Sequence, residues 1–292
     1  MSAGDQPLVK IHHWPALERP VLVMCLEGWI DAGAAASSAC NHLMSGMPHD
    51  LVATFDADEL IDYRARRPTL RIVNGVDEDL RWPEIKLHAA TNRTGRTVLV
   101  LSGPEPDMRW QRFCAEVVGL ASRLEVEKVV GLGAFPAPVP HTRPVRLVGT
   151  SPNAESAAAV GFLPAGIEVP AGVQGALEVA FGQASISAVG LWARVPHYLA
   201  AMPYPAAAVA LLEGLARVAD IEIDTATLQA AAALTSQQVA SLIAGSEEHS
   251  ALVRQLEEQH DSEMSSEVGE FGDLPSGDEI AAELERFLRG EQ

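Results

Sequence analysis

Five short, almost uninterrupted apolar segments constrain the fold of this chain more than any other feature. They are VLVMCLEG (21–28), LVATFDAD (51–58), TVLVLSGPEP (97–106), KVVGLGAFP (128–136) and ISAVGLWARVP (186–196). Segments of this length that are apolar on both faces are typical of strands in a sheet covered by helices on both sides. Two weaker segments, LRIV and IKLHAAT (85–91), fit either an excursion from the sheet or an antiparallel edge pair.

Helical patterns lie between these segments. Apolar residues recur at intervals of three and four from 109 to 124, and the Ala-rich segment 32–44 is helix-prone, with Asp31 as its candidate N-cap. Further helices are predicted at 153–160, 173–182 and 205–219. Strands that alternate with helices predict an α/β fold over residues 1–220, a three-layer α/β/α sandwich with a mostly parallel sheet.

Beyond residue 220 the patterns indicate helices only, so we predict a helical C-terminal extension over residues 221–292. Three helices are expected there, at 225–243, at 247–261, and from Ser276, which has capping-box spacing to Glu279. The extension is also acidic: the chain carries a net charge of −18, and the 14 acidic and 3 basic residues from position 246 onward contribute −11 of it.

Composition excludes several classes of partner and site. Nucleic acids and anionic membranes require clustered Lys and Arg, so we expect neither as a partner. The sequence has no apolar stretch of membrane-span length and no signal-peptide core at its start. The three cysteines, Cys25, Cys40 and Cys114, are far apart and form no CxxC pair, which is typical of reduced thiols in the cytoplasm. We therefore expect a cytoplasmic protein.

Polar side chains follow the apolar segments, and the carboxyl ends of parallel strands share the edge of the sheet where ligands bind. The candidate ligand-binding residues are Glu27, Trp29, Asp31, Glu105, Arg109, His141, Arg143 and His197. They could hold a polar ligand, or supply acid and base groups if burial raises the pKa of a carboxyl. For any single acidic residue a structural role is favoured over catalysis: Asp31 can cap a helix, and Glu27 can pair with an arginine such as Arg143. Catalytic residues are left unassigned.

The segment FDADELIDYRARRPTLR (55–71) places four acidic residues before four arginines. Such a charge run is most often a solvated face whose charges neutralise one another. It could instead recognise carboxylate or phosphate groups, or form a subunit interface. The predicted interface residues are Asp56, Asp58, Arg66 and Arg67.

Motifs of several enzyme classes are missing. The chain contains no P-loop motif and no GxSxG elbow, and prolines follow the GxG of GLGAFP where a dinucleotide fold needs a helix. Ser102 and His141 could be written into a triad with an acid, but no motif supports that pairing. The histidines lack HxxxH spacing and a nearby cysteine pair, so we expect no metal and no cofactor. The balance favours a protein that is not an enzyme.

Six motifs, in order, resemble the bacterial branch of the proteasome assembly chaperone family, of the second-chaperone type. They are LEGWIDAG (26–33), FDADELIDYRARRP (55–68), GPEPDMRW (103–110), GAFPAPVPHTRP (133–144), AGVQG (171–175) and SAVGLWARVPHY (187–198). The resemblance implies an α/β/α fold similar to that of nucleoside phosphorylases, a homo-oligomer such as a trimer, and a proteasome-related protein partner. Some relatives dock through a C-terminal hydrophobic-Tyr-any motif, which this chain, ending FLRGEQ, lacks.

The function predicted from these observations is that of a non-catalytic assembly-chaperone-like or interaction protein. The alternative is a small-molecule-binding protein, or a hydrolase- or phosphorylase-like enzyme, that uses the polar cluster at the strand ends.

Overall fold

The computed structural model describes residues 7–28, 30–91, 95–162 and 166–267. The strands in these ranges are β1 (Val9–Ile11), β2 (Val21–Glu27), β3 (His49–Phe55), β4 (Thr69–Val73), β5 (Val76–Arg81), β6 (Lys86–Thr91), β7 (Thr97–Pro104), β8 (Lys128–Ala137), β9 (Leu147–Thr150) and β10 (Ser187–Pro196). The α-helices are α1 (Ala35–Ser45), α2 (Ala57–Leu60), α3 (Trp110–Arg123), α4 (Ala154–Val160), α5 (Val173–Gln183), α6 (Pro205–Ala219), α7 (Ala226–Ala244) and α8 (Glu247–Glu267). The helix predicted from Ser276 lies outside the described residues.

Eight of these strands form one sheet in the order β1-β3-β6-β7-β2-β8-β10-β9. The four central strands, β7, β2, β8 and β10, are parallel neighbours and contain four of the five apolar segments. The fifth segment forms β3, which is antiparallel to β6, as β7 is, and therefore runs in the same direction as the central strands. The predicted mostly parallel sheet is confirmed, and the polar residues after all five segments lie at one edge.

The two weaker segments form strands in different sheets. LRIV lies in β4, which pairs with β5 in a separate two-stranded sheet, as an excursion would. IKLHAAT contains β6, which is antiparallel but lies inside the main sheet, so the prediction of an edge strand was wrong. The reason is that β6 pairs with β3 along one side and with β7 along the other, so neither of its sides is a free edge.

Helices cover both faces of the sheet, as the sequence predicts. On β2, Val23 faces the core built with α1 and α6, and the adjacent Met24 faces the core built with α3 and α5. This alternation explains why the central strands are apolar along their whole length. Beyond α6, α7 packs against α6 and α8 packs against α7. The division of the chain at residue 220 stays a prediction. None of the described helices is both long and apolar enough to cross a membrane.

The cysteines differ from the expectation. Cys25 of β2 and Cys40 of α1 form a disulfide, with their Cα atoms 5.8 Å apart, so the prediction of reduced thiols was wrong for this pair. The crossover from β2 into α1 lays the helix over the strand and brings together residues separated by 15 positions. Cys114 is a buried free thiol, and desolvation raises its pKa to about 11.

Candidate functional site

The sheet opens between β2 and β8 at their carboxyl ends. The two strands pair from Val21 to Met24 of β2 and then diverge, although β2 stays paired with β7 to its end and β8 with β10 to its end. The chain after β2 returns to β8 at Asp31, which forms an isolated bridge with Ala134. From β2 the chain proceeds to β3 on one side, and from β8 to β10 on the other. The opening is therefore the topological switch point, where ligands bind in open α/β sheets.

A cavity of about 260 Å³ occupies this opening. Its walls are the carboxyl end of β2, the middle of β8, the Cys25–Cys40 disulfide, and the N-terminal parts of α1 and α5. The polar and aromatic side chains among its described lining are Glu27, Asp31, Ser37, Glu105, Gln174 and Trp192. The three carboxylates were predicted from their positions after the strands. Ser37, Gln174 and Trp192 were not predicted, although Ser37 and Gln174 lie near the starts of two predicted helices and Trp192 lies in a predicted strand.

The Asp31 carboxylate caps α1 from outside the helix. Its two oxygens accept hydrogen bonds from the backbone N–H groups of Ala36 at 2.8 Å and Ser37 at 3.0 Å. The chain between them turns sharply at Gly33, where φ is 66°, and a Cβ there would lie 2.8 Å from the Cβ of Tyr204. Only glycine fits this turn, so Gly33 allows Asp31 to reach the helix N-terminus. The capping role considered for Asp31 is present, although Ala34 holds the N-cap position.

Glu105 plays the matching role at α5. Its Oε2 accepts the backbone N–H of Val173 at 2.7 Å, and a Cβ at Gly172 would lie 3.2 Å from the same oxygen. The backbone N–H of Glu105 donates to the carbonyl oxygen of Glu27 at 2.9 Å, which joins the ends of β7 and β2. Helix N-termini at such a switch point are the usual binding site for phosphate groups. Here both helices already hold a carboxylate of the protein itself.

We expect Asp31→Ala to lower the free energy of unfolding by about 1 kcal/mol, because two N–H groups of α1 lose their acceptor. Urea denaturation followed by circular dichroism measures the change. The control is Asp50→Ala, at the exposed amino end of β3, which should stay within about 0.5 kcal/mol of wild type. Equal effects of the two substitutions would contradict the capping role.

A polar network centred on the buried carboxyl group of Glu178 lies behind the cavity wall. The Thr150 hydroxyl donates to Glu178 Oε2 at 2.8 Å, Gln174 Nε2 donates to Glu178 Oε1 at 3.2 Å, and Trp192 Nε1 donates to Thr150 Oγ1 at 3.0 Å. Glu178 is only 5% exposed, and desolvation raises the pKa of its carboxyl to about 7 against the opposing effect of these hydrogen bonds. The network thus fixes the orientation of Gln174 and Trp192, the two wall residues that it contacts.

Three strand glycines make room for these side chains. They are Gly131 beneath Gln174, Gly133 beneath Trp192, and Gly190 beneath Glu178. A Cβ at Gly131 would lie 2.5 Å from the Gln174 side chain, and the corresponding approaches at Gly133 and Gly190 are closer still. Glycine weakens a strand and marks the close approach of another group. The sheet is therefore adapted, at some loss of strand stability, to hold large side chains flat against it.

Loop 139–144 lies away from the cavity and is held by α8. Arg143 donates from Nη2 and Nε to the carboxylate of Asp261 at 2.6 and 2.9 Å, and its Nη1 lies 3.3 Å from Glu257 Oε1. The Thr142 hydroxyl also donates to Glu257. The bond from Arg143 lowers the pKa of Asp261 to about 2. Of the two roles considered for Glu27, pairing with Arg143 is not observed, because α8 supplies the carboxylates for that arginine.

His141 is buried in the same loop against Tyr198. Its backbone N–H donates to the Tyr198 hydroxyl at 2.9 Å, and its Nδ1 lies 2.9 Å from the same oxygen. Desolvation lowers the pKa of His141, which favours the neutral ring. A neutral ring can accept the Tyr198 hydroxyl proton at Nδ1, so the two contacts with Tyr198 are compatible. The geometry gives His141 a role in holding the loop.

We expect Arg143→Met to speed amide hydrogen exchange in α8, because both acidic side chains lose their cation. Arg254→Met, an exposed position on the same helix, is the matched control and should leave exchange unchanged. The lowered pKa of Asp261 means that the pair is complete above the ordinary carboxyl pKa and is lost as the pH falls towards 2. Protection of α8 in wild type should therefore be constant between pH 5 and 8. Equal exchange rates in the two variants would contradict the role of this pair.

The remaining predicted ligand residues lie outside the cavity. Arg109 pairs with Glu59, with 2.6 Å between Nη2 and Oε2. His197 is exposed after β10. Trp29 lies outside the described residues. The structure thus brings Glu27, Asp31 and Glu105 together at the cavity. The other predicted residues, Arg109, His141, Arg143 and His197, lie elsewhere. Residues that follow neighbouring strands share one edge of the sheet, but their side chains can still point away from one another.

The predicted interface residues make contacts within this chain. Asp56 caps α2 by accepting the backbone N–H of Asp58 at 3.1 Å, and Asp58 accepts the Tyr63 hydroxyl at 2.7 Å. Arg66 pairs with Asp107 at 3.2 Å, and Arg67 is exposed. A subunit interface at these residues stays a prediction.

The fold and the cavity define an α/β/α sandwich protein. Its cavity at the topological switch point of the sheet is lined by carboxylates, which are hydrogen-bond acceptors. The model of the PAC2 family matches residues 25–243. The chain belongs to the PAC2 family, which confirms the resemblance identified from its motifs.

Solved structures extend this likeness over most of the chain. A protein of unknown function from Corynebacterium glutamicum is 33% identical, with a TM-score of 0.84 over 88% of this chain and 98% of that one. A proteasome-assembly chaperone homologue from Mycobacterium tuberculosis is 37% identical, with a TM-score of 0.74 over 80% of this chain and 99% of that one. PbaB, an archaeal proteasome activator from Pyrococcus furiosus, is 15% identical over 80% of this chain and 97% of that one; its TM-score of 0.61 shows a shared fold alone. No protein with a curated description matches the chain significantly.

Proposed function

We propose that this protein is a non-catalytic, assembly-chaperone-like protein that binds a proteasome-related protein partner in the cytoplasm. The observation that carries the proposal is the 37% identity to a proteasome-assembly chaperone homologue, over nearly the whole length of that protein, within one family. Binding of such a partner requires an exposed surface with apolar side chains that the partner can cover.

The β4–β5 hairpin supplies such a surface. It forms its own two-stranded sheet, in which Leu70 and Leu80 are cross-strand partners. These two side chains and those of Ile72 and Trp82 are 45–58% exposed. An isolated two-stranded sheet is marginally stable in water, and clustered exposed apolar side chains mark protein interaction sites. A protein partner that covers this face would stabilise the hairpin and bury its apolar side chains.

Direct binding to purified proteasome subunits tests the proposal. The full chain should bind a subunit or an assembly intermediate, and the triple variant Leu70→Ser, Ile72→Ser, Leu80→Ser should lose that binding. The control is Leu234→Ser with Leu242→Ser, two exposed leucines of α7, which should bind as wild type does. Absence of binding to every subunit and intermediate would overturn the function, and equal binding by the triple variant would overturn the surface.

The proposal includes a homo-oligomer with Asp58, Arg66 and Arg67 at its contacts. Exposed ion pairs between subunits weaken as salt screens them. The mass of the particle in solution should therefore exceed that of one chain at low salt and fall as salt is added. A monomer at every salt concentration would overturn this part of the proposal.

A second function is supported by the switch-point cavity. The divergence of β2 and β8 after Met24 opens a space whose wall residues are already fixed by the Glu178 network. Preformed concave sites with a few oriented polar groups are typical of small-molecule binding. We propose that the cavity binds a small molecule, and we assign it no catalytic role.

A further inference from the structure

We infer that the switch-point cavity binds a small organic cation, a primary ammonium group carried on a short aliphatic chain. The inference rests on the second function proposed above and specifies its ligand. Three features of the cavity support it. Its polar side chains present hydrogen-bond acceptors, its helix N-termini already bind carboxylates of the chain, and the ring of Trp192 forms part of its wall.

The polar side chains of the described lining present acceptors to the cavity. Glu27, Asp31 and Glu105 contribute carboxylates. Ser37 donates its hydroxyl proton to the carbonyl oxygen of Ala34 at 3.2 Å, and Gln174 donates its amide N–H to Glu178 at 3.2 Å. The hydroxyl oxygen of Ser37 and the amide oxygen of Gln174 are left as acceptors. An ammonium group, with three donors and no acceptor, is the complement of such a lining.

Three backbone donors at the helix N-termini beside the cavity already bind carboxylates of the chain. The N–H groups of Ala36 and Ser37 at α1 bind Asp31, and that of Val173 at α5 binds Glu105. The described lining also contains no Lys, Arg or His. A phosphate or carboxylate ligand would be repelled by three carboxylates and would have to compete with Asp31 and Glu105 for these three N–H groups. The arrangement therefore selects against nucleotides and in favour of cations.

Trp192 completes the recognition of an organic cation. Its Nε1 is turned towards Thr150, and its six-membered ring lies against Gly133, so the ring forms part of the cavity wall. An ammonium group is attracted to the face of an indole ring, and its alkyl chain can pack against the apolar walls formed by Leu132 and the disulfide. The volume of about 260 Å³ is below that of most sites for larger ligands, which favours a short chain.

Calorimetry and thermal unfolding of the full chain with three matched probes test the inference. The probes are 1,5-diaminopentane, 1,5-pentanediol and glutarate, which share a chain length and differ in charge. The diamine should bind saturably, raise the Tm and bind more weakly as salt is added, whereas the diol and glutarate should not bind. Glu27→Gln and Glu105→Gln should each weaken diamine binding by about tenfold or more, since a charged acceptor becomes neutral.

The glutamine at position 105 keeps an acceptor for the Val173 N–H, and Glu27 is exposed, so both variants should fold normally. Asp50→Asn, at the amino end of β3, removes one negative charge away from the cavity and should bind the diamine as wild type does. The inference is overturned if the diamine does not bind wild type at low salt, if it binds both glutamine variants unchanged, or if glutarate binds more tightly. The hairpin triple variant should still bind the diamine, so loss of partner binding and loss of ligand binding are separate outcomes.

Discussion

Gly103→Ala is expected to lower the free energy of unfolding by about 3 kcal/mol or more. Gly103 lies in β7 with a φ of +127°, which L side chains rarely adopt. A Cβ there would lie 2.9 Å from the Cα of Ile85 and closer still to the carbonyl oxygen of Glu84. Both obstacles are backbone atoms, so no rotamer change relieves the clash. Backbone strain and overpacking each destabilise by about 1–3 kcal/mol, and here they act together.

Urea denaturation of Gly103→Ala beside Gly119→Ala provides the measurement and its control. Gly119 lies on the exposed side of α3, and apart from its chain neighbours and the backbone of its own helix no atom lies within 4 Å of an added Cβ. Alanine is the better helix former, so this control should be neutral or stabilised by up to about 1 kcal/mol. If both variants unfold like wild type, then β7 does not approach Glu84 as described. Since Glu105 follows β7 directly, Gly103→Ala should also disturb the cavity.

Glu178→Gln is expected to raise the free energy of unfolding at pH 8 by up to roughly 3 kcal/mol. Burial raises the pKa of Glu178 from an ordinary 4.5 to about 7, so the fold favours the protonated form. The stabilising contribution of that form is complete below about pH 4.5 and is lost as the pH rises through about 7. Glutamine stays neutral at every pH and keeps an acceptor for Thr150. The Gln174 amide can rotate to match it.

The test is urea denaturation from pH 5 to pH 8. Wild type should lose stability relative to Glu178→Gln across this range, and the two curves should converge at the acidic end. Glu155→Gln, at an exposed carboxylate of α4, is the control and should run parallel to wild type. Parallel curves for wild type and Glu178→Gln would show that Glu178 ionises as an exposed glutamate does.

Much of the fold could be predicted because its signals are local. The apolar segments became the four central strands and β3, since a strand buried on both faces has no polar face to alternate with. The apolar residues that recur every three or four positions in 109–124 form the buried face of α3, because that spacing places them on one side of a helix. The position of β6 inside the sheet was not predictable in the same way, because it depends on pairing with β3, which lies about 30 residues earlier in the chain, as well as with the adjacent β7.

The candidate site was predictable only in part. Glu27, Asp31 and Glu105 were found because residues after parallel strands must share an edge. Arg143 was misplaced because its partners, Glu257 and Asp261, come from α8, more than a hundred residues away. The network around Glu178 was missed because a glutamate within an apolar helix carries no local sign of its burial.

The sequence by itself determined the family, the α/β/α class and the edge of the sheet at which polar groups collect, because periodicity and residue order are properties of neighbouring positions. Only the tertiary structure decided which of those groups meet. It paired Cys25 with Cys40, directed Asp31 and Glu105 to the helix N-termini, and left the cavity lined by acceptors. These outcomes depend on distances between elements that are remote in the chain, and packing sets those distances. Packing also explains the acidic residue at the end of a buried strand, because Glu27 borders an opening between two strands that diverge.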